Sequence, residues 1–243
     1  MKKTFLILLF LFAIKIYSQV EFAEKNYLKL KNIISSENSL TELKVKLDSM
    51  KMTFNDKRNN YVDYFLNRNI DFDFNHNRIR VFFDLYEYQI DLITKNDSIY
   101  LKSLKTEYFK KYTYQAFNKN KLKIYVSLRN QFYNSKKKTK DLIIEISQNQ
   151  TYAMYCGDGL PITEEGIKLT KIVKAENISV LENMLSNFNC ENQSFAILGF
   201  NMLIEKKIEI TKEILKKIEH IKNRNSELQV CKGCITGIIE KIY

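Results

Sequence analysis

Residue types that carry much of enzyme chemistry are scarce in this sequence. It contains two histidines, one proline, six glycines and no tryptophan. With only His76 and His220 available, a Ser-His-Asp or Cys-His arrangement is hard to assemble, and the sequence has no G-x-S-x-G elbow, H-E-x-x-H helix or phosphate-binding glycine loop. We therefore expect no catalytic residues, no cofactor and no metal. His76 is predicted to lie in a polar, asparagine-rich loop and His220 on a helix.

Long apolar runs are also missing after the first twenty residues, which predicts no membrane-spanning helix there. Near the start, two lysines precede ten uncharged apolar residues, Phe5–Ile14, about half of the length that a spanning helix needs. This pattern predicts a cleavable signal peptide over residues 1–18, with cleavage at Ser18 or one residue later. An uncleaved anchor or a buried helix is the alternative. No cysteine lies near the cleavage point, so lipid anchoring through an N-terminal cysteine is not supported.

Export changes how the positive charge is interpreted. Residues 1–18 contain three lysines and no acids, so their removal lowers the formal net charge from +11 to +8. An exported protein seldom meets nucleic acid, so we expect an envelope or extracellular protein as its partner. The positive charge would then interact with anionic surfaces of the envelope. A coding sequence rich in A and T would also produce this lysine-rich composition. The basic run Lys136–Lys140 is predicted to be a solvated turn, although it could hold a phosphate.

The N-terminal half contains segments with a helical pattern and a segment with a strand-like pattern of apolar residues. Apolar residues at helical spacing predict two amphipathic helices between Glu21 and Met52, and a short helix over Tyr61–Leu66. Residues 78–104 are rich in aromatic and β-branched residues around a run of turn formers, which predicts a β-hairpin. A helix is the competing interpretation there. Further helices are predicted over Leu122–Phe132 and Leu142–Ile146.

The clearest break in the pattern is the segment Cys156–Pro161, which holds two of the six glycines and the only proline. We place the boundary here between an N-terminal α+β region, residues 19–155, and a C-terminal helical region, residues 156–243. After the break the pattern is helical, and the predicted helices are Thr163–Val173, Asn177–Leu185, Asn192–Lys206 and Ile210–Ile221. The predicted fold class is α+β, mainly helical, with a hairpin or small antiparallel sheet in the N-terminal half.

All four cysteines lie in the C-terminal region: Cys156, Cys190, Cys231 and Cys234. In an exported chain they are disulfide candidates, and four cysteines allow three pairings. A Cys156–Cys190 bridge would pin the glycine-rich loop to a helix and contribute roughly 3–4 kcal/mol in the chain-entropy model. The C-x-x-C pair Cys231/Cys234 leaves open a reactive dithiol at a helix start, free thiols, or a zinc site completed by other cysteines or His220.

The glycine-rich loop is a second candidate functional site. Asp158 lies between Gly157 and Gly159, where a carboxylate can be presented to a cation or substrate. Calcium would require several more oxygen ligands at short spacing. Glu164 and Glu165 follow closely, but they are better explained as residues of a first helical turn.

Residues 181–203 resemble one unit of a HEAT-type helical repeat. The resemblance is carried by a first helix that ends Leu185-Ser186, a polar turn, and a second helix with small Ala196 and Gly199 facing inward. Small residues at such positions let paired helices approach closely. The resemblance implies stacked helical hairpins that bind protein partners without catalysis, although solenoids need three or more units.

Two functions are compatible with these features. The first is an exported, non-catalytic protein-interaction module, of which an inhibitor or immunity protein is a special case. The second is a periplasmic thiol-redox factor or a hydrolase that uses the Cys231/Cys234 pair or the Asp158 loop. The absence of a catalytic constellation favours the first.

Overall fold

The computed structural model describes residues 20–53, 61–84, 86–106 and 113–243. The predicted signal peptide, residues 1–18, lies outside the described residues. Within these ranges no helix combines the length and the apolar character that crossing a membrane requires.

Two helices open the described chain, as predicted. Helix α1 spans residues 20–36 and α2 spans Leu40–Thr53. The buried residues recur every three or four positions, so each helix has one apolar face. They are Ala23, Tyr27, Leu30 and Ile34 in α1, and Leu43, Leu47 and Met50 in α2. Asp97, from a turn of the sheet, caps α2 by accepting a 2.9 Å hydrogen bond from the Thr41 amide.

A five-stranded antiparallel meander forms the centre of the N-terminal half. Its strands, in both sequence and spatial order, are β1 Tyr61–Asp71, β2 Phe74–Phe83, β3 Tyr86–Lys95, β4 Ser98–Thr106 and β5 Thr113–Phe117. The predicted hairpin over residues 78–104 is confirmed as strands, and it belongs to a larger sheet. The predicted short helix at Tyr61–Leu66 is wrong, because this segment pairs with β2 and buries Val62 and Leu66 as part of β1.

The two faces of the sheet differ in chemistry. One face packs apolar side chains such as Ile79, Val81, Ile90 and Leu104 against α1 and α2. The opposite face carries buried polar and charged side chains in its centre, among them Arg68, His76, Arg78, Gln89 and Asp91. This second face is covered by the C-terminal half, so the buried polar groups there require partners from it.

Six helices and a second, small sheet follow β5 in the part of the chain that the structure describes. The helices are α3 Lys119–Tyr133, α4 Thr139–Ile146, α5 Glu164–Lys174, α6 Ile178–Leu185, α7 Cys190–Glu205 and α8 Lys212–Arg224. Strands β6 Leu228–Lys232 and β7 Ile235–Glu240 form an antiparallel hairpin. The helices agree with the predicted segments, and the α+β class is confirmed. The expectation that helices continue to the end of the chain is wrong, because Val230 and Ile238 are paired in this hairpin.

One hydrophobic cluster contains residues from both sides of position 156. Ile70 and Phe74 of the sheet pack with Leu122 of α3, Phe188 before α7, and Val230 of β6. The division at residue 156 stays a prediction.

Helices α6 and α7 pack closely through a glycine. A Cβ atom built at Gly199 would lie 2.6 Å from Cδ2 of Leu181 and 2.9 Å from Cδ1 of Leu169. The neighbouring Ala196 is fully buried. Both small residues therefore face inward, as the sequence predicts, while the HEAT-type resemblance itself stays a prediction.

Candidate functional site: two surface loops joined by a disulfide

The disulfide Cys156–Cys231 joins the glycine-rich loop to the β6–β7 hairpin. Its Cα atoms are 5.8 Å apart, and the two residues are separated by 75 positions in sequence. A disulfide fits a protein of an oxidising compartment such as the periplasm or the extracellular space. Among the pairings that the sequence left open, Cys156 with Cys190 is not the one formed, because Cys190 is buried at the start of α7 as a free cysteine.

Backbone hydrogen bonds reinforce the disulfide. The amide of Gly157 donates to the carbonyl of Gly233 at 2.9 Å, next to the bridged residues. Within the glycine-rich loop, the Cys156 amide donates to the Pro161 carbonyl at 3.0 Å, and Tyr155 and Ile162 form an antiparallel bridge. The two loops are therefore joined by a covalent bond and a backbone hydrogen bond, and the glycine-rich loop is closed by hydrogen bonds of its own.

The joined loops expose a group of large apolar side chains. The exposed fraction is 55% for Tyr155, 54% for Leu160, 39% for Ile162 and 64% for Ile235. We call these four residues the linked-loop surface. Single exposed apolar residues are common on proteins, whereas contiguous exposed apolar patches mark interaction sites.

Leu160 has an unusual backbone conformation. Its φ angle is +49°, in the left-handed region that bulky residues rarely adopt. This conformation costs about 1–2 kcal/mol for a residue with a Cβ atom, and glycine would avoid that cost. A strained residue with an exposed apolar side chain is what a functional constraint on the loop would produce.

The two cysteines of the C-x-x-C motif differ in state. Cys231 is bonded to Cys156, and Cys234 is an exposed free cysteine in the two-residue turn between β6 and β7. The C-x-x-C motif therefore lies at a β-turn and not at a helix start, so no helix dipole acts on it. The residue types of the motif could not reveal this, because its setting depends on pairing between β6 and β7.

The Asp158 loop lies at the surface of the protein. Asp158 is exposed in the turn between Gly157 and Gly159. In the part of the chain that the structure describes, no group of three or more His, Cys, Asp or Glu side chains could hold a metal ion. Gly157 contributes its backbone amide to the link with Gly233, which is a structural use of the loop.

No protein family, curated protein or solved structure matches this chain. The assignment of a function therefore depends on the geometry of the chain alone.

The sequence predicted a loop for His76, but the structure places this residue in β2, where it is fully buried. Its Nε2 atom is 2.9 Å from Oδ1 of Asp91, whose carboxylate also accepts a 2.8 Å bond from Nε of Arg78. An ionised carboxylate only accepts hydrogen bonds, so Nε2 carries the proton. Nδ1 has no hydrogen-bond partner among the described residues, and a proton there would be a buried, unsatisfied donor.

The electrostatics of this cluster keep His76 neutral and Asp91 ionised. Burial lowers the pKa of His76 to about 4, against the opposing effect of the Asp91 hydrogen bond. Burial would raise the pKa of Asp91, but the charge of Arg78 and the hydrogen bond from His76 hold it well below its usual range. Arg78 also donates a 2.6 Å bond to the carbonyl of Ile146, which ties the sheet to the end of α4.

A second buried cluster surrounds Asp71 at the end of β1. Its carboxylate pairs with Arg129 of α3 at 3.1 Å, with His220 of α8 at 3.0 Å, and with Arg224 of α8. Burial would raise the pKa of Asp71, but the charges of Arg224 and Arg129 hold it well below its usual range. His220 is on a helix, as predicted. Both histidines therefore belong to charged networks that join the sheet to the helices, and no pattern in the sequence indicated their partners.

Proposed function

We propose that this protein is an exported, non-catalytic protein-interaction module whose contact site is the linked-loop surface. The observation that carries the proposal is the placement of Tyr155, Leu160, Ile162 and Ile235 on two loops that a disulfide joins. Export through residues 1–18, into the periplasm or the extracellular space, is part of the proposal.

Preorganisation is the physical reason that such a surface suits binding. Ordering a flexible loop upon association costs free energy, and a loop that is already fixed avoids part of that cost. The bridge at Cys156 and the hydrogen bond from Gly157 fix the loop before a partner arrives. Tyrosine and large aliphatic residues in such positions are typical anchors of protein interfaces. The partner is an envelope or extracellular protein that presents a complementary apolar surface.

A capture experiment with matched variants tests the proposal. The mature protein is incubated with envelope and culture-medium extracts, and bound proteins are quantified by mass spectrometry. The surface variant is Tyr155→Ser/Leu160→Asn/Ile235→Thr. The control is Val45→Ser/Ile124→Ser, which removes two side chains that are 64% and 62% exposed elsewhere. We expect a partner that the wild type and the control enrich, and that the surface variant binds at least about tenfold more weakly.

Two results would contradict this proposal. One is a partner that the surface variant retains at wild-type affinity once both proteins are purified. The other is the absence of any protein enriched by the wild type over the surface variant. Export is tested separately, because the mass of the protein recovered from the cell envelope or medium shows whether residues 1–18 have been removed.

Thiol exchange is a second candidate function, and the exposed thiol of Cys234 favours it. Cys234 lies three positions from Cys231, whose sulfur is in the disulfide. The Cys234 thiolate would attack Sγ of Cys231, the Cys231–Cys156 bond would break, and Cys156 would leave as a thiolate. One disulfide is broken and one is formed, so no external oxidant is needed. The released Cys156 could then react with a thiol or disulfide of a partner.

Alkylation distinguishes the two candidates. If exchange occurs, iodoacetamide at pH 8 labels Cys156 in a fraction of wild-type molecules, and Cys234→Ser abolishes that labelling. If Cys156 is never labelled before reduction, the exchange mechanism is wrong and the interaction proposal is unaffected.

A further inference from the structure

A second cleft lies far in sequence from the linked-loop surface. It has a volume of about 530 Å³ and opens between the end of α1, strands β4 and β5, and the start of α3. Its walls carry three aromatic rings, several hydroxyl and amide groups and two lysines. The lining residues are Ser35, Asn38, Ser98, Ile99, Tyr100, Lys102, Tyr114, Ala116, Phe117, Asn118 and Lys121.

Lys102 brings a positive charge to the wall of this cleft. The residue is only 6% exposed, which is rare for lysine unless it is paired with an acid. Its Nζ atom makes two long hydrogen bonds, 3.2 Å to Oδ1 of Asn38 and 3.4 Å to the Ser35 carbonyl. An ammonium group has three donors, and among the described residues the third has no acceptor. Lys102 is therefore a buried cation whose contacts are neutral oxygens.

No carboxylate among the described residues lines the cleft to neutralise this charge. Burial lowers the pKa of Lys102 below its usual range, and the charge of Glu37 offsets this effect only in part. Glu37 does not line the cleft, and its carboxylate is already paired with Lys46. The cleft is therefore electropositive inside, in an environment where burial strengthens electrostatic interactions.

Two tyrosine rings of the cleft wall each have a lysine ammonium group near the ring face. Nζ of Lys121 lies 4.7 Å from the ring centroid of Tyr100, and Nζ of Lys31 lies 5.7 Å from that of Tyr114. Phe117 leaves 43% of its surface exposed at the cleft. An ammonium group is attracted to the face of an aromatic ring, so an anionic group that pairs with Lys121 is held beside the ring of Tyr100.

From these contacts we infer that the cleft binds a small anionic saccharide, a sugar that carries a carboxylate or a phosphate group. The anionic group pairs with Lys102 and Lys121, the aromatic rings contact the apolar face of the sugar ring, and the amide and hydroxyl side chains bind its hydroxyl groups. Ligand sites commonly combine apolar walls with a few placed polar groups in this way. This binding site is independent of the linked-loop surface.

Isothermal titration calorimetry on the mature protein tests the inference with four probes. Glucuronate and glucose 6-phosphate carry both the ring and the charge, whereas glucose lacks the charge and inorganic phosphate lacks the ring. We expect the two charged sugars to bind at least about tenfold more tightly than glucose or phosphate, a difference of about 1.4 kcal/mol. Their affinity should fall as salt rises, because the contacts are ionic.

Variants separate binding from folding. Lys102→Met should abolish binding but removes a buried residue, so its fold must be verified by circular dichroism. Lys121→Ala changes an exposed side chain and should weaken the charged sugars by about threefold to tenfold. The matched control is Lys123→Ala, an exposed lysine of the same helix that does not line the cleft, and it should bind like the wild type.

Three outcomes would overturn the inference. They are no heat of binding with either charged sugar at millimolar concentration, an unchanged affinity in Lys121→Ala, and an inorganic phosphate affinity equal to that of glucose 6-phosphate. The last result would show that the sugar ring contributes nothing and would exclude a saccharide as the ligand.

Discussion

Arg68 of strand β1 donates a 2.6 Å hydrogen bond from Nη1 to Oε1 of Glu191 on helix α7, across 123 positions of sequence. Both side chains are almost completely buried. The same carboxylate oxygen accepts a 2.9 Å bond from the Gln229 amide in β6. One ion pair therefore joins the first sheet, a C-terminal helix and the small hairpin that carries Cys231.

Breaking this pair should destabilise the protein strongly. Glu191→Gln leaves the Arg68 guanidinium buried without a counter-charge, and we expect the free energy of unfolding to fall by about 3–5 kcal/mol. Urea denaturation measures the change. Lys232→Met is the control, because it breaks an exposed pair with Glu240 and should cost less than about 1 kcal/mol. A similar small loss in both variants would show that the Arg68–Glu191 pair does not hold the two halves together.

Stability should decline as the solution is acidified below the ordinary pKa of histidine. The folded protein keeps His76 neutral down to a pKa of about 4, whereas the unfolded chain binds a proton near pH 6.5. The unfolded state therefore takes up the proton first, and stability that is present above pH 6.5 is lost as pH falls toward 4. The titration of His76 changes the free energy of unfolding by at most about 1.4 kcal/mol per pH unit.

The variant His76→Gln identifies the source of this slope. It retains a side-chain donor toward Asp91 but does not titrate, so its stability should change less between pH 6.5 and 4.5 than that of the wild type. Chemical denaturation at several pH values provides the comparison. An identical slope in the variant would assign the acid sensitivity to other groups.

Thiol reactivity should follow burial and the disulfide. In the folded, non-reduced protein only Cys234 is exposed as a free thiol, so alkylation should add one label. Denaturation without reduction should add a second label, at Cys190, and reduction should expose all four cysteines. Mass spectrometry of the labelled protein counts them. Four labels before reduction would rule out the Cys156–Cys231 disulfide.

Removing the disulfide should lower stability. Cys156→Ser/Cys231→Ser opens a covalent loop that spans 75 positions, and the chain-entropy model gives a loss of about 4 kcal/mol. Denaturation of the variant and the wild type, both non-reduced, measures the difference. The variant Cys190→Ser/Cys234→Ser is the control for cysteine replacement and should leave the disulfide contribution intact. Equal losses in the two variants would contradict this account.

Gly199→Ala should destabilise α7 despite the better helix propensity of alanine. The added methyl would contact Leu181 and Leu169 at less than 3 Å, and both leucines are fully buried. Overpacking of this kind typically costs about 1–3 kcal/mol, against a gain of about 1 kcal/mol in propensity. Thermal unfolding measures the balance. The double variant Gly199→Ala/Leu181→Ala should lose less stability than the sum of the losses in the two single variants, since the shorter side chain makes room for the added methyl group. Strict additivity of the two losses would argue against the clash.

The sequence by itself determined the helices and the fold class. Periodic apolar residues such as Leu30 and Leu43 define amphipathic helices locally, because a helix forms its hydrogen bonds within one segment. The β-branched and aromatic residues around Val81 indicated strands, because strand-forming residue types can also be recognised within one short segment. The inward positions of Ala196 and Gly199 also followed from residue size and spacing.

Tertiary structure alone decided the partners of the polar residues and the cysteines. His76 looked solvated in its asparagine-rich segment, but strand pairing places it beside Asp91, and Tyr61–Leu66 became a strand only because β2 is there to pair with it. The bridge from Cys156 to Cys231 and the cleft around Lys102 likewise depend on segments far apart in sequence. Ion pairs, disulfides and clefts depend on distances in space, and a linear pattern carries no information on those distances.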